Sequence, residues 1–215
     1  MKNVIFIAPP AAGKGTQAKM LCQKYGFIHI STGDLLRKAA RQDSDIQNKL
    51  NLGTLIDDSI ILELIDKEIC ALSDENGYVL DGFPRNISQA KAFDQMIKGF
   101  LNSSYVVIYI DVSKEIASER ILGRLYCPDC GASYNALLPD NQPKKQNECD
   151  RCHSSLIKRD DDTPSTFQAR FDAYINHTEP LLEYYRVHQV LYTVNGNQDS
   201  LKVHADIIQI LEGEL

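Results

Sequence analysis

The segment "VIFIAPPAAGKGTQ", residues 4–17, places a glycine-containing turn directly after an apolar strand pattern. Consecutive backbone N–H groups at the start of a helix bind phosphate well when a lysine reaches the outer phosphates. Gly13, Lys14 and Gly15 supply the curvature and the charge, and Thr16 follows one position later than the general pattern expects. The alternative is a tight strand-to-helix turn without a ligand, but "GKGT" at the start of a helix favours phosphate binding.

Two alanines, Ala8 and Ala11, stand where such a loop usually has glycine. An alanine in the left-handed backbone region costs about 1–2 kcal/mol, whereas an alanine at an ordinary φ costs nothing. The backbone N–H donors are present in both cases. We therefore expect the loop to bind phosphate despite these substitutions.

Short apolar runs alternate with segments of helical periodicity along the chain. In residues 57–72, for example, Ile61, Ile65, Ile69 and Leu72 recur every three or four positions. Strands that alternate with helices predict an α/β fold of the P-loop NTPase type, with a five-stranded parallel sheet and helices on both faces. The predicted strands are residues 3–8, 27–31, 78–81, 105–112 and 190–195.

Polar side chains indicate where several helices begin. Ser113 follows the fourth strand, and Ser31 or Thr32 follows the second, so that each can cap a helix. The pair Thr163–Pro164 opens a long helix that extends toward His188. These signals support the element order that the apolar runs predict.

Two stretches exceed what a minimal α/β fold requires. Residues 32–57 place helical segments between the second and third strands, and residues 125–158 contain four cysteines within a loop-rich sequence. We expect both stretches to project from the sheet as small insertions. The predicted division is a core of residues 1–30, 60–124 and 160–215, a first insertion of residues 31–59, and a lid of residues 125–159.

Charge and hydropathy exclude several classes of protein. The formal net charge is −6, so no global positive field attracts nucleic acid or an anionic membrane surface. No apolar run is long enough to span a bilayer, and the amino terminus enters the first strand without an export signal. We expect a cytoplasmic protein whose anion site is a local basic cluster.

Four of the six cysteines form two pairs, Cys127/Cys130 and Cys149/Cys152. Such pairs can close a tetrahedral thiolate shell around Zn²⁺, with no position left for water or substrate. Two disulfides are the alternative, and an intracellular protein favours the metal. Asp150 and His153 lie close enough in sequence to replace a sulfur ligand. Mixed charges and a single aromatic side chain, Tyr134, argue against a nucleic-acid-binding zinc ribbon.

A series of short motifs follows the predicted strands, at the strand ends where parallel sheets bind ligands. The motifs are "GKGTQ" (13–17), "STGDLLR" (31–37), "DGFPR" (81–85), "ILGR" (121–124) and "RDDD" (159–162), followed by Arg170. In this order of motifs, up to about Gln198, the chain resembles the adenylate kinases of the nucleoside monophosphate kinase family. The cysteine pairs resemble those of the zinc-bearing, long-lid branch of that family.

The resemblance implies reversible transfer of the terminal phosphoryl group of ATP to AMP, which gives two ADP. It also implies Mg²⁺ as a cofactor and structural Zn²⁺ held by the four cysteines. Lys14 is expected on the outer phosphates of ATP, and Arg120 is expected to stack on adenine. The implied ATP-binding positions are Ala11, Ala12, Gly13, Lys14, Gly15, Thr16, Arg120, Arg124, Ser133, Tyr134 and Gln198.

The resemblance further implies the AMP site and the cations around the transferring group. Thr32 bears on the choice of base, because a hydroxyl-bearing residue there accompanies AMP in this family. Asp81 is expected to hold Mg²⁺ through its water ligands, and a cis Phe83–Pro84 bond is expected. The implied AMP-binding positions are Thr32, Arg37, Thr54, Leu55, Ile56, Gly82, Phe83, Pro84, Arg85, Gln89, Arg159 and Arg170, and the implied catalytic positions are Lys14, Arg85, Arg124, Arg159 and Arg170.

Elementary chemistry supports a mechanism without a general base, because the acceptor is a phosphate oxygen that is already ionised at neutral pH. Phosphoryl transfer needs alignment and positive charge, which guanidinium groups and Mg²⁺ supply. Two alternatives are a UMP/CMP kinase of the same family and a nucleotide-sensing zinc protein that binds ATP without transfer. A sensor has no use for five cations around a transferring group, which favours the enzyme.

Overall fold

The computed structural model describes residues 3–52, 56–72, 77–100, 103–138, 141–159 and 162–214. Its strands are β1 (Asn3–Ile7), β2 (Ile28–Ser31), β3 (Tyr78–Asp81), β4 (Tyr105–Asp111), β5 (Arg124–Tyr126), β6 (Ser133–Asn135) and β7 (Leu191–Asn195). Five of them form a parallel sheet in the order β2-β3-β1-β4-β7, whereas β5 and β6 form a separate antiparallel pair. The predicted fold class is confirmed, and the predicted strands of the main sheet agree with the observed ones to within one residue at each end.

Helices cover both faces of the sheet, and the predicted caps are confirmed. The side chains of Ser31, Ser113 and Thr163 each accept a hydrogen bond from the backbone N–H three residues later. Among the described residues, no helix combines the length and the apolar character that crossing a membrane requires. The helices are α1 (Lys14–Tyr25), α2 (Thr32–Ala40), α3 (Ser44–Leu52), α4 (Asp58–Cys70), α5 (Ile87–Ile97), α6 (Lys114–Leu122), α7 (Pro164–Ala173), α8 (Pro180–Val187) and α9 (Ser200–Glu214).

The long helix predicted to begin at Thr163 is interrupted, which corrects that prediction. A π-helical turn, Tyr174–Thr178, separates α7 from α8. Pro180 explains the interruption, because it has no N–H to continue the helical ladder and its ring crowds the preceding turn. Within this turn the hydroxyl of Thr178 donates to the carbonyl oxygen of Arg85 over 2.9 Å. The turn therefore ties the helical segment to the loop that follows β3.

Apolar residues alternate between the two faces of the sheet. Along β1, Val4 and Phe6 join one buried cluster with α1, α6 and α9, and Ile5 and Ile7 join the other with α4, α5 and α8. Burial on both faces is typical of a parallel sheet between helical layers. It fixes the carboxyl ends of β1, β2, β3 and β4 at one edge, where the predicted site residues follow.

The two insertions differ in construction. The first contains α2 and α3, which pack against each other and contribute Leu36, Ala40 and Ile46 to the main core. The lid contains the β5–β6 pair and a bridge between Tyr126 and Ile157. The small buried cluster of the described lid residues consists of Leu125, Cys127, Ala132, Tyr134, Cys149 and Leu156.

Candidate active site

The loop between β1 and α1 turns sharply, with two residues at positive φ. Gly13 precedes α1 with φ 95°, a region in which glycine carries no steric penalty. Ala11 also has a positive φ, 59°, whereas Ala8 does not. One of the two alanine substitutions therefore falls at a strained position and the other is conformationally neutral. The first turn of α1 retains N–H groups that the helix itself does not pair.

The amine of Lys14 is buried beside this loop. It donates to the carbonyl oxygen of Ala8 over 3.0 Å and to that of the next residue over 3.1 Å. Burial lowers the pKa of Lys14 to about 8; the charge of Asp81 opposes this shift, and those of Arg85 and Arg124 add to it. Charged groups from two other motifs, "DGFPR" and "ILGR", thus act on this amine, as expected for an anion site.

The carboxylate of Asp81 ends β3 near the start of α1. Its Oδ2 lies 3.4 Å from Nε2 of His29 on the neighbouring strand. Burial raises the pKa of Asp81, but the contact with His29 and the charge of Lys14 outweigh it, so the pKa lies below its usual value. A largely buried carboxylate near the lysine of a phosphate loop, with its pKa lowered, fits a Mg²⁺ ion held through water ligands. The sequence alone indicates no role for His29, because its contact depends on the pairing of β2 with β3.

The loop after β3 brings Thr32 and Arg85 to the same edge of the sheet. The hydroxyl of buried Thr32 donates to the carbonyl oxygen of Asp81 over 3.1 Å. Nε of Arg85 donates to the carbonyl oxygen of Gly82 over 2.8 Å. Burial and the neighbouring charge of Arg170 lower the pKa of Arg85, while Asp81 opposes them. The peptide bond between Phe83 and Pro84 is cis, as expected.

Gln89 fixes the backbone of this loop. Its amide oxygen accepts the N–H of Arg85 over 2.7 Å, and its amide nitrogen donates to Asp58 over 2.7 Å. Both polar groups of this buried side chain thus have protein partners. Ile56, another predicted AMP contact, is buried in the apolar cluster that the sheet forms with α4, α5 and α8. Thr54 and Leu55 lie outside the described residues.

Asp162 pairs with one predicted catalytic arginine and lies close to another. It accepts two hydrogen bonds from Arg124, one of them from Nε over 2.6 Å, and Nη1 of Arg170 lies 4.0 Å from its Oδ1. The side chain of Asp162 is only 2% exposed. Asp162 belongs to the motif "RDDD", but the arginine partner of a carboxylate cannot be read from its position in the chain.

Arg37 and Arg159 approach the site from the first insertion and the lid. Arg37 pairs with Asp34 over 2.6 Å. Burial raises the pKa of Asp34, but Arg37, the hydroxyl of Ser31 and the charge of Arg159 together lower it. The guanidinium carbon of Arg159 also lies 5.5 Å from the ring centre of Tyr126. Arg159 therefore lies within electrostatic reach of the insertion that carries predicted AMP contacts.

Arg120 links the phosphate loop to the loop before α9. Its guanidinium donates to the carbonyl oxygens of Gly196 over 2.9 Å and of Gln198 over 3.4 Å, and it lies 3.5 Å from that of Ala12. The other predicted ATP contacts differ in exposure. Ser133 is exposed, whereas Tyr134 is buried in the lid and its hydroxyl lies 3.5 Å from the sulfur of Cys149. The hydroxyl of Tyr134 also accepts the N–H of Asp150 over 2.9 Å, so this side chain is engaged within the lid.

The four paired cysteines form a compact cluster in the lid. Their sulfur atoms all lie within 4.8 Å of one another, with 3.3 Å between Cys127 and Cys152 and 3.5 Å between Cys130 and Cys149. These distances exceed the roughly 2.05 Å of a disulfide and approach the spacing of about 3.8 Å that a tetrahedral zinc shell requires. All four thiols are unlinked, which contradicts the disulfide alternative. The cluster therefore fits a metal ion.

The family to which the chain belongs follows from comparison with known proteins. The family model described as Adenylate kinase matches residues 6–190. The chain is 40% identical to the adenylate kinase of Archaeoglobus fulgidus over 214 residues, which is 98% of each chain. It is 39% identical to that of Clostridium kluyveri over 199 residues, 91% of each chain, and 37% identical to that of Kosmotoga olearia over 98% of this chain and 99% of the relative. The chain belongs to the adenylate kinase family.

Proposed function

We propose that the chain transfers the terminal phosphoryl group of ATP to AMP and so forms two molecules of ADP. The observation that supports this most strongly is that Asp81, Arg85 and Arg124 all lie within electrostatic reach of the amine of Lys14 at one edge of the sheet. These residues come from three different motifs, and phosphoryl transfer requires such a concentration of charge. Membership of the adenylate kinase family supports the same activity.

The proposal assigns each predicted site residue to one of two nucleotides. The backbone of the loop and the amine of Lys14 bind the ATP phosphates, and Arg120 lies against adenine. The remaining ATP contacts are Ala11, Ala12, Gly13, Gly15, Thr16, Arg124, Ser133, Tyr134 and Gln198, and the AMP contacts are Thr32, Arg37, Thr54, Leu55, Ile56, Gly82, Phe83, Pro84, Arg85, Gln89, Arg159 and Arg170.

Catalysis in this proposal consists of positioning and charge stabilisation. The attacking oxygen of AMP is already ionised, so no side chain has to remove a proton. Lys14, Arg85 and Arg124 neutralise the charge that spreads over the equatorial oxygens of the transferring group. Because Asp162 orients Arg124 before the substrates arrive, this guanidinium needs little reorganisation. Asp81 would hold Mg²⁺ through water ligands, and the ion would supply further positive charge near the phosphates.

We also propose that the lid, residues 125–159, is a metal-stabilised unit with Zn²⁺ bound by its four clustered cysteines. The small apolar cluster of the described lid residues supports this, since little hydrophobic burial is available to hold the lid together. Residues 31–59 serve as the AMP-binding insertion on the core of residues 1–30, 60–124 and 160–215. One chain supplies every residue named for both nucleotides, which suits a monomer, and unlinked thiols suit the cytoplasm.

A coupled assay with several phosphate donors and acceptors tests the proposed activity. With ATP, AMP and Mg²⁺ we expect rapid formation of ADP, and we expect CMP and UMP to be far poorer acceptors than AMP. The same assay compares GTP with ATP as the phosphate donor. Vigorous turnover only with CMP or UMP would identify a pyrimidine nucleotide kinase. Tight binding of ATP without transfer would identify a nucleotide sensor, and either result would contradict the proposal.

A further inference from the structure

A buried asparagine joins the lid to the helix that carries Arg120. Asn135 ends β6 and is only 4% exposed. Its Nδ2 donates to the carbonyl oxygen of Arg120 over 2.9 Å. Its Oδ1 accepts the N–H groups of Leu137 over 2.9 Å and of Leu138 over 3.2 Å. The carbonyl of Arg120 lies in the last turn of α6, where helical carbonyls lack partners within the helix, and the Asn135 amide supplies one. The same amide orders the lid backbone at Leu137 and Leu138.

Gly123 leaves the space that this amide occupies. Its φ of −88° is available to any residue, so backbone freedom does not explain a glycine here. A Cβ at this position would overlap Oδ1 of Asn135 and would lie 2.9 Å from Cγ of Leu137. The carbonyl oxygen of Gly123 accepts the N–H of Ala136 over 2.7 Å. Gly123 and Asn135 therefore interlock where α6 meets the lid.

The segment held by this interlock carries two arginines of the proposed ATP site. The backbone of Arg120 is the direct partner of Asn135, and its side chain binds the loop that carries Gln198. Arg124 lies opposite Asn135 in the β5–β6 pair and reaches Asp162. A shift of the Asn135 amide therefore moves the backbone that places both guanidinium groups.

We propose that Asn135 is a positioning residue for the donor nucleotide: its amide fixes residues 120–124 and thereby places Arg120 and Arg124 on ATP. This inference rests on the proposed function and deepens it, since Asn135 acts through the two arginines and not on the substrate. The loop after β3 and the first insertion carry most of the proposed AMP contacts. Loss of the Asn135 amide should therefore weaken the use of ATP and spare that of AMP.

The variant Asn135→Asp tests this inference, because it keeps the shape and the accepting oxygen but replaces the N–H donor with an oxygen that faces the carbonyl of Arg120. We expect the KM and the calorimetric Kd for ATP to rise about five- to tenfold, as for the loss of one buried hydrogen bond, and the KM for AMP to change less than about twofold.

Gln142→Ala is the matched control. This lid amide also donates to a backbone carbonyl, that of Ala136 over 2.9 Å, but it is exposed and its acceptor lies within the lid and not on α6. Its constants should equal those of the wild type.

A second variant, Gly123→Ala, disturbs the contact between residue 123 and the Asn135 amide from the other side. It replaces Asn135→Asp as the test if the aspartate variant folds poorly. The double variant Gly123→Ala/Asn135→Ala removes the side chain that the new methyl group would overlap. Each single variant, Gly123→Ala and Asn135→Ala, lowers kcat/KM for ATP by some factor. For an interlock we expect the factor in the double variant to be smaller than the product of the two single factors. Two purely additive effects would contradict a direct coupling of these residues.

The outcomes separate this inference from the proposed activity. If Asn135→Asp behaves like Gln142→Ala, or if the constants for ATP and AMP rise together, Asn135 has only a structural role and the inference is wrong. If the wild-type protein forms no ADP, the proposed activity is wrong. In that case the Kd for ATP, which requires no turnover, still decides whether Asn135 places the donor nucleotide.

Discussion

The phosphate loop and the lid both contribute to one proposed site, but different forces hold them. The loop follows β1, in which Val4 and Ile5 are fully buried between two large apolar clusters. The lid has a small cluster of its own, and Cys127 and Cys149 are part of it. Full burial of one large aliphatic side chain contributes roughly 1.5–3 kcal/mol. The core can therefore offset the cost of a strained Ala11 and a desolvated Lys14, whereas we expect the lid to depend on metal binding by its cysteines.

Removal of Lys14 tests the loop and has the largest expected effect. In Lys14→Ala we expect kcat to fall on the order of a thousandfold, because the amine acts on charge that develops in the transition state. The melting temperature should hold or rise, since a buried cation is lost. Lys24→Ala is the control, because Lys24 also lies on α1 and pairs with Glu212 at the surface over 3.4 Å. Retention of most activity in Lys14→Ala would show that the amine of this loop does not take part in phosphoryl transfer.

Removal of one cysteine ligand tests the lid. In Cys127→Ser we expect the bound metal to fall well below one ion per chain, because a hydroxyl is a far poorer ligand than a thiolate for a thiophilic metal. The lid should then unfold at a lower temperature than the core, which hydrogen exchange in the two regions measures. Cys70→Ser changes an exposed cysteine on α4 and should alter neither quantity. Full metal content and unchanged melting in Cys127→Ser would refute the zinc assignment.

Raising the pH above 8 should have opposite effects on the activity and on the stability that depend on Lys14. The pKa of Lys14 is about 8 in the folded chain, against an ordinary value of 10.5. Since kcat/KM for ATP reports ionisation in the free enzyme, it should fall about tenfold per pH unit above pH 8 as the amine loses its charge. The unfolded chain binds more protons between pH 8 and 10.5, so the contribution of this group to the free energy of unfolding rises over the same range.

Lys14→Arg is the variant that isolates this effect, because a guanidinium stays charged over the whole range. Its rate is expected to be lower, and the decline above pH 8 should disappear. An identical decline in Lys14→Arg would assign the titration to another group.

Relief of strain in the loop should give the smallest effect. Ala11→Gly removes about 1 kcal/mol of left-handed strain, offset by the greater backbone entropy of glycine in the unfolded chain. We expect the free energy of unfolding to change by less than about 1 kcal/mol and the KM for ATP to remain close to that of the wild type. Ala12→Gly, at a neighbouring alanine without a positive φ, should destabilise by roughly 0.5–1 kcal/mol. Equal losses in both variants, measured by denaturant unfolding, would show that Ala11 carries no strain.

Local signals in the sequence predicted the main sheet, the helix caps and the cysteine cluster. The apolar runs predicted the strands because both faces of the sheet are buried, and Ser31, Ser113 and Thr163 cap helices through bonds to residues three positions away. The clustering of the four cysteines was predictable because the spacing within each cysteine pair is itself local. These features depend on neighbours in the chain.

Partners that lie far apart in sequence could not be predicted in the same way. The contact of His29 with Asp81 depends on the pairing of two strands, and that of Asn135 with Arg120 depends on how the lid meets α6. The π-helical turn arises from Pro180 within an otherwise helical pattern, so helical periodicity alone missed it. The left-handed backbone of Ala11 likewise follows from the path of the whole loop.

The central claim is that cations from separate segments of the core and the lid gather on one chain of phosphates. The most direct measurement is a crystal structure with Mg²⁺ and an analogue in which five phosphates join two adenosines. The account predicts side-chain nitrogen atoms of Lys14, Arg85, Arg124, Arg159 and Arg170 within about 3.2 Å of phosphate oxygens. An analogue bound away from the loop after β1, or one that Arg124 and Arg159 do not contact, would contradict it.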